Sequence, residues 1–300
     1  KDPEVETSII NASWESYHHP PFEGNEEVLL ETVLEDYKLS VTHFNNFLNV
    51  AQGGPQTFLE QNLLRFPQPK TPALSFGTAM HRTISQTYNH LKQKGSLPPR
   101  SQVLDWFEEF LHNERLSEQD FESHLRRGKD ALKIFFDQRQ DSFDDSHFSE
   151  FNFRNEEVFV NEVPLTGKID KMIVDEDQIE VWDFKTGSPL EEWGKGSQYD
   201  KIKSWKYKNQ LLFYKLLVEN SRKFNDYEVN EGIIEFLEPE NEEIKSLSLS
   251  IKEKKVERLK KLLEVVYSKI MNLDFPDVED YDENIKGIRN FEDDLLDGEA

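Results

Sequence analysis

Cysteine is absent from the chain, which excludes disulfides, thiolate zinc sites and cysteine-ligated iron–sulfur clusters. There is no apolar run near the ~18–20 residues that a membrane span needs. No apolar segment within Lys1–Glu23 reads as a secretory leader. The chain begins with Lys rather than Met, which fits a piece cut from a longer polypeptide, and a cytoplasmic setting is expected. No G-x-x-x-x-G-K-[ST] loop occurs, so the chain is not expected to be an ATP-driven motor itself. Positive charge is scarce too: 36 Lys and Arg face 59 Asp and Glu, for a formal net charge of −23. A nucleic-acid binder usually shows a basic footprint. The excess acid, however, gathers in Glu23–Asp36 and Asp277–Glu299, while the middle carries Arg126, Arg127 and Lys129, then Lys195, Lys201, Lys203, Lys206 and Lys208. Weak non-specific DNA binding is the expected consequence.

Hydrophobic residues make up 36% of the 300 and aromatics 12%, enough for a substantial core. Residues 1–38 are polar and aperiodic and read as a linker or tail. A folded domain is expected over 39–275, and an acidic tail over 276–300. Within the domain, Ser40-Val41-Thr42 is a helix start, interrupted at Gly53-Gly54-Pro55. Phe76, Met80, Ile84, Tyr88 and Leu91 recur at helical spacing through 75–94, and two more helices follow over 101–114 and 117–140. After Glu150 the texture turns to strands, over 157–161, 165–174 and 178–185, with Asp175-Glu176-Asp177 as a hairpin turn. A helix over 204–220, strands over 232–237 and 244–249, and a helix over 251–271 complete the pattern. This order predicts an α/β (α+β) fold, a mixed central sheet flanked by helices.

Two segments carry candidate chemistry: Gly167-Lys168-Ile169-Asp170 and Val181-Trp182-Asp183-Phe184-Lys185. Asp170 and Asp183 lie thirteen residues apart on adjacent predicted strands, so a hairpin can set them side by side. Strand alternation turns Asp183 and Lys185 to one face and Phe184 to the other. Carboxylates are the hard oxygen ligands that Mg²⁺ takes, and an amine beside the ion can orient an attacking water or accept its proton. Lys168 and Lys171 are read as facing solvent or substrate. The stretch Lys195–Lys208 reads equally as a solvated loop and as one that touches phosphates. Trp193, Tyr199 and Trp205 suit base stacking and core packing alike.

The aspartate, gap, acid-X-Lys pattern resembles the PD-(D/E)XK nuclease superfamily. Gly77-Thr78-Ala79-Met80-His81 early in a helix, the i, i+4 pair Gln210 and Tyr214, and Gly287–Leu295 as G-I-x-x-F-E-x-x-L make it similar to the RecB-like branch, found at the carboxy end of UvrD/Rep-type helicases. The resemblance spans approximately 38–297. It implies that His81, Asp170 and Asp183 bind metal, that Asp170, Asp183 and Lys185 are catalytic, and that Gln210 and Tyr214 contact DNA or brace the site. It also implies Mg²⁺ as cofactor, with Mn²⁺ as a substitute. Many relatives hold an iron–sulfur cluster; here the early cysteine position reads Asn49-Val50-Ala51, so no cluster is expected and packing must join the ends. The remaining histidines, among them His18, His19, His43 and His147, have no partner at ligand spacing and read as structural.

The leading expectation is therefore a metal-dependent DNA exonuclease of repair or recombination, partnered by an ATP-dependent helicase motor in the same polypeptide or as a subunit, with no membrane association. The alternatives are an inactive nuclease-fold module that binds single-stranded DNA, and an acidic adaptor that docks proteins through its tails.

Overall fold

A computed structural model of the chain describes Leu30 and residues 32–300. Residues 1–37 and 38–300 form separate units. The expected linker or tail, with His18 and His19, lies up to residue 29 outside the described residues. In the remainder of the first unit, residues 32–34 are helical and the Tyr37 N–H donates to the Leu34 carbonyl at 3.0 Å.

The second unit opens with helix α1 (Val41–Leu48), capped by Ser40, whose hydroxyl accepts from the His43 N–H at 3.2 Å. A 3-10 turn (Val50–Gln52), helix α2 (Gly54–Phe58) and a π turn (Leu59–Leu63) follow. Gly53-Gly54-Pro55 thus redirects a helical chain rather than ending it. Helices α3 (Pro72–Lys94), α4 (Arg100–His112) and α5 (Glu118–Arg139) come next. Helix α3 starts ahead of its hydrophobic pattern because Thr71 caps it and Pro72 suits its first turn.

The strands are β1 (Phe148–Asn152), β2 (Val158–Val160), β3 (Val163–Leu165), β4 (Lys168–Asp175) and β5 (Gln178–Lys185). Helix α6 (Gln198–Glu219), strands β6 (Glu231–Phe236) and β7 (Ser246–Ser250), and helices α7 (Glu253–Met271) and α8 (Ile285–Asp297) complete the unit. The five-stranded sheet runs β1-β4-β5-β6-β7, and β2-β3 form a separate hairpin. All pairs are antiparallel except β5–β6, which is parallel and bridged by α6, the crossover that parallel strands require. This is the expected mixed sheet flanked by helices.

Four local readings change. Residues 165–174 are not one strand: Leu165 ends the β2-β3 hairpin, and the chain turns at Thr166-Gly167 into β4. Strand β1 has no clean alternation and is not evident from the sequence. Helix α6 begins at Gln198 because Ser197 and Asp200 form a capping box, so most of Lys195–Lys208 is helix and not loop. The acidic tail expected over 276–300 instead holds α8, which buries Ile288, Phe291 and Leu295. Its carboxylates lie largely on the outer face, and the apolar residues recur at the helical period. The Phe291 ring stacks on Phe47 at 6.4 Å, and Phe47 also meets Phe58 and Phe275. Glu292 accepts from the Trp205 indole N–H at 2.8 Å and from Arg258 at 3.2 Å. Gly287 lets α8 begin close in, since a Cβ there would stand 1.9 Å from the Asp282 carbonyl oxygen.

Helices α3, α4 and α5 build a core with Phe184 of β5 through Phe76, Met80, Phe107, Leu132 and Phe136. Helix α6 covers β5 and β6 from the other side, with Leu211 pressed on Gly232. No helix among the described residues is long and apolar enough to cross a membrane. Because Phe291 is fully buried, Phe291→Ala is expected to cost about 3–5 kcal/mol in urea unfolding, whereas the same change in a solvated tail would leave the midpoint unchanged.

Candidate active site

The site forms where the β4–β5 ladder ends. Lys171 pairs with Trp182, so the next rung sets Asp170 opposite Asp183. Beyond that pair the Asp170 carboxylate takes over, accepting the Phe184 N–H at 2.8 Å. On the other edge of β4, Ser149 pairs with Lys171 and Phe151 with Ile169, which places Glu150 opposite Asp170. Continuing the register by one residue brings carboxylates from three neighbouring strands together around Asp170 at the ladder's end.

Helix α3 supplies the imidazole. His81 lies at the edge of its buried stripe, with Nδ1 at 3.3 Å from Asp170 Oδ2 and its ring edge-on to Phe184. Gly77, one turn earlier, permits that approach, because a Cβ would stand 3.1 Å from the Thr186 hydroxyl. Oxygen or nitrogen atoms of His81, Glu150 and Asp170 lie within 4.8 Å of one another.

Strand β5 and helix α6 supply the rest. Lys185 Nζ stands 2.6 Å from Asp183 Oδ2, donates to Gln210 Oε1 at 2.8 Å and sits 5.0 Å from the Tyr207 ring centre. Asp183 Oδ1 accepts from Gln210 Nε2 at 2.6 Å and from the Tyr214 hydroxyl at 2.8 Å. Gln210 uses both ends of its amide, tying the amine to the acid. Asp183 is 2% exposed, and its Oδ2 has no hydrogen bond of good geometry despite the nearby ammonium. Past Lys185, the Gly187 N–H donates to Glu238, which Arg127 grips with two guanidinium nitrogens.

Protonation follows from these contacts. Burial favours a neutral His81, but Asp170, by charge and hydrogen bond, and then Asp183 outweigh it, and the imidazole titrates above its ordinary 6.5. Burial likewise pushes Asp170 up, yet His81, Lys185 and the Phe184 N–H hold it below its ordinary value. Asp183 goes the other way: burial and the Asp170 charge raise it against the pull of Lys185. Burial raises Glu150 as well, opposed by Lys168. Burial and the adjoining acids carry Tyr214 well above the usual phenol, so it acts as a donor.

His81, Asp170, Asp183, Lys185, Gln210 and Tyr214 thus meet in one place. The group able to hold a cation comprises His81, Glu150 and Asp170; Asp183 adjoins it, with Oδ1 engaged by α6 and Oδ2 facing Lys185. Hard oxygens with one imidazole suit a divalent ion, and the buried Asp183 Oδ2, whose contact is the Lys185 ammonium at 2.6 Å without good hydrogen-bond geometry, adds a further oxygen beside them. Glu150 was not evident from the sequence. Its backbone is left-handed, at φ +55°, which breaks the alternation that would have marked its strand, and only the aromatic spacing of Phe148, Phe151 and Phe153 hints at one.

The other basic and aromatic candidates divide. Lys168 faces solvent, as expected, and pairs with Glu150. Lys171 does not face solvent or substrate: it is 2% exposed, with Nζ 3.4 Å over the Trp182 ring centre, and burial lowers its pKa to about 8. Trp205 is buried on Glu292, and Trp193 donates to the Ser248 carbonyl at 2.6 Å, whereas Tyr199 is exposed.

Residues 38–284 match the model of the PD-(D/E)XK nuclease superfamily. No curated protein matches the chain. Among solved structures, the crystal structure of SSO0001 is similar over 74% of this chain and 86% of that one, at 13% identity and a TM-score of 0.30, a likeness too loose to carry an argument.

Removing the Tyr214 hydroxyl takes one of two donors from the buried Asp183 Oδ1. Tyr214→Phe is expected to cost about 1–3 kcal/mol in urea unfolding at neutral pH and to raise the Asp183 titration further, as followed by carbon NMR of the carboxyl.

Proposed function

The chain belongs to the PD-(D/E)XK nuclease superfamily, whose members are mostly metal-dependent nucleases, and from that premise we propose that it is a Mg²⁺-dependent deoxyribonuclease of the RecB-like branch. The observation that carries this reading is the convergence of His81, Asp170, Asp183 and Lys185 at one splayed ladder end.

In this reading His81, Asp170 and Asp183, joined by Glu150, hold the ion. When bound, such an ion acidifies a coordinated water and offsets charge on the scissile phosphate. Lys185, held by Asp183 and Gln210, would orient the attacking water and offset charge on the phosphate. Gln210 keeps that amine from swinging away, and Tyr214 keeps Asp183 from turning. The Arg127–Glu238 pair fixes the Gly187 turn just past Lys185, which limits motion of the strand end.

Exonuclease action in repair or recombination follows from the resemblance to the RecB-like branch, which the order of His81, Asp170, Asp183-Phe184-Lys185, Gln210 and Tyr214 along the chain carries. Within the same reading the enzyme works in the cytoplasm with an ATP-dependent helicase motor, in one polypeptide or as a subunit. The decisive experiment incubates the purified chain with end-labelled linear DNA and Mg²⁺ or Mn²⁺. Cleavage is expected, and Lys185→Ala is expected to lower kcat by about 10²–10⁴-fold with little change in KM; Asp183→Asn should abolish it. DNA binding without cleavage under either ion would instead identify a strand-binding module.

Proton and cation compete for His81. Its pKa lies above 6.5, so the proton is held at low pH and lost as pH rises through that raised value. Mn²⁺ affinity, measured calorimetrically, is expected to climb with pH through this range and then level off, and His81→Asn should flatten the climb.

A further inference from the structure

Lys168 stands two residues before Asp170 on β4, so strand alternation carries both side chains to the same side. Across the ladder, Asn152 faces Lys168 and Glu150 lies on the diagonal, within reach of a long side chain. The Lys168 ammonium pairs with Glu150 there, while its side chain keeps 51% of its surface open to solvent. Glu150 is one of the three residues able to share a cation with His81 and Asp170. Its left-handed backbone, at φ +55°, is a conformation that a glutamate adopts only at some cost.

A charge count at this ladder end is informative. Glu150, Asp170 and Asp183 contribute three negative charges, and Lys168 and Lys185 two positive ones. With His81 neutral, the local sum is minus one. A divalent ion makes it plus one, and one phosphodiester charge restores neutrality. Lys185 is held inside the site by Asp183 and Gln210. Lys168 is the ammonium whose partner the cation claims, and it is the more exposed of the two.

We propose that Lys168 is a substrate-phosphate contact masked by Glu150 in the cation-free protein and released to the nucleic-acid backbone when a divalent ion draws the Glu150 carboxylate to itself. This couples cation binding to substrate capture through one side chain, and it rests on the phosphodiesterase reading above. It also fits a chain of net charge −23, in which a permanently free lysine would be readily taken by surrounding acid.

The test is binding of the whole chain to a fluorescein-labelled single-stranded oligonucleotide across a KCl series, with Ca²⁺ or with EDTA, checking by gel that the DNA stays intact. With Ca²⁺, Lys168→Ala is expected to reduce the slope of log Kd against log [KCl] by about 0.7, the value for one lost phosphate contact on a single strand. Lys168→Arg should keep the wild-type slope, and in EDTA the wild type and Lys168→Ala should coincide. Mn²⁺ affinity without DNA should be equal or tighter in Lys168→Ala and in Lys168→Gln. An unchanged slope with Ca²⁺, an equal change in EDTA, or weaker Mn²⁺ binding in both variants overturns the inference alone, the last by making Lys168 a mere prop for Glu150. A wild type that binds the oligonucleotide no better with Ca²⁺ than with EDTA overturns the phosphodiesterase reading and this inference together.

Discussion

Three carboxylates brought together at the end of a β-ladder repel one another, and the rest of the site is organised around offsetting that repulsion. Like charges directly opposite destabilise a ladder, and burial sharpens the penalty because a desolvated charge needs a partner. The chain answers each acid separately. Asp170 takes an imidazole and a backbone N–H, Asp183 takes an ammonium, an amide and a phenol, and Glu150 takes the Lys168 ammonium at the rim. The result is asymmetric, with Asp170 held ionised below its ordinary pKa and Asp183 raised above its own. An arrangement of this kind is poised for a cation, since a divalent ion relieves the same repulsion more fully than the side chains do.

That asymmetry depends on elements far apart in the chain. The β4–β5 hairpin brings the two aspartates together, but it cannot supply His81, which comes from α3 on one side of the sheet, or Gln210 and Tyr214, which come from α6 on the other. The parallel β5–β6 pairing matters here because it forces a helical crossover over the strand that ends in Lys185. Helix α6 is in turn tied to the carboxy end: Trp205 on its first half bonds Glu292 of α8, and Phe291 beside Glu292 stacks on Phe47 of α1. Aromatic packing thus joins the two ends of the unit, behind the helix that braces the site.

The large negative charge and the candidate chemistry are compatible because they occupy different length scales. Several basic residues that look available in the sequence are already matched: Arg127 grips Glu238, Lys129 pairs with Glu108, and Lys171 lies buried over Trp182. Under the proposed function, attraction for a phosphate would come from the few charges at the site and the ion they could hold, and not from a broad surface field.

Much of this was legible from residue order. The hydrophobic period of α3 and α7, the Glu176 turn between β4 and β5, and the Asp183-Phe184-Lys185 alternation are local properties, set by side-chain spacing and backbone preference within a few residues, and the structure keeps them. Other features were not local. Glu150 joins the site from a strand whose left-handed residue hides its alternation, Lys171 is buried over Trp182 of the neighbouring strand, and 285–297 folds because Phe47 and Trp205 offer it partners. Short-range pattern therefore marked most of the elements and the Asp183-Phe184-Lys185 alternation, but neither β1 with Glu150 nor α8. Long-range packing alone decided which acids stand within bonding reach of His81 and which lysine stays open to solvent, because those outcomes depend on how separate elements meet.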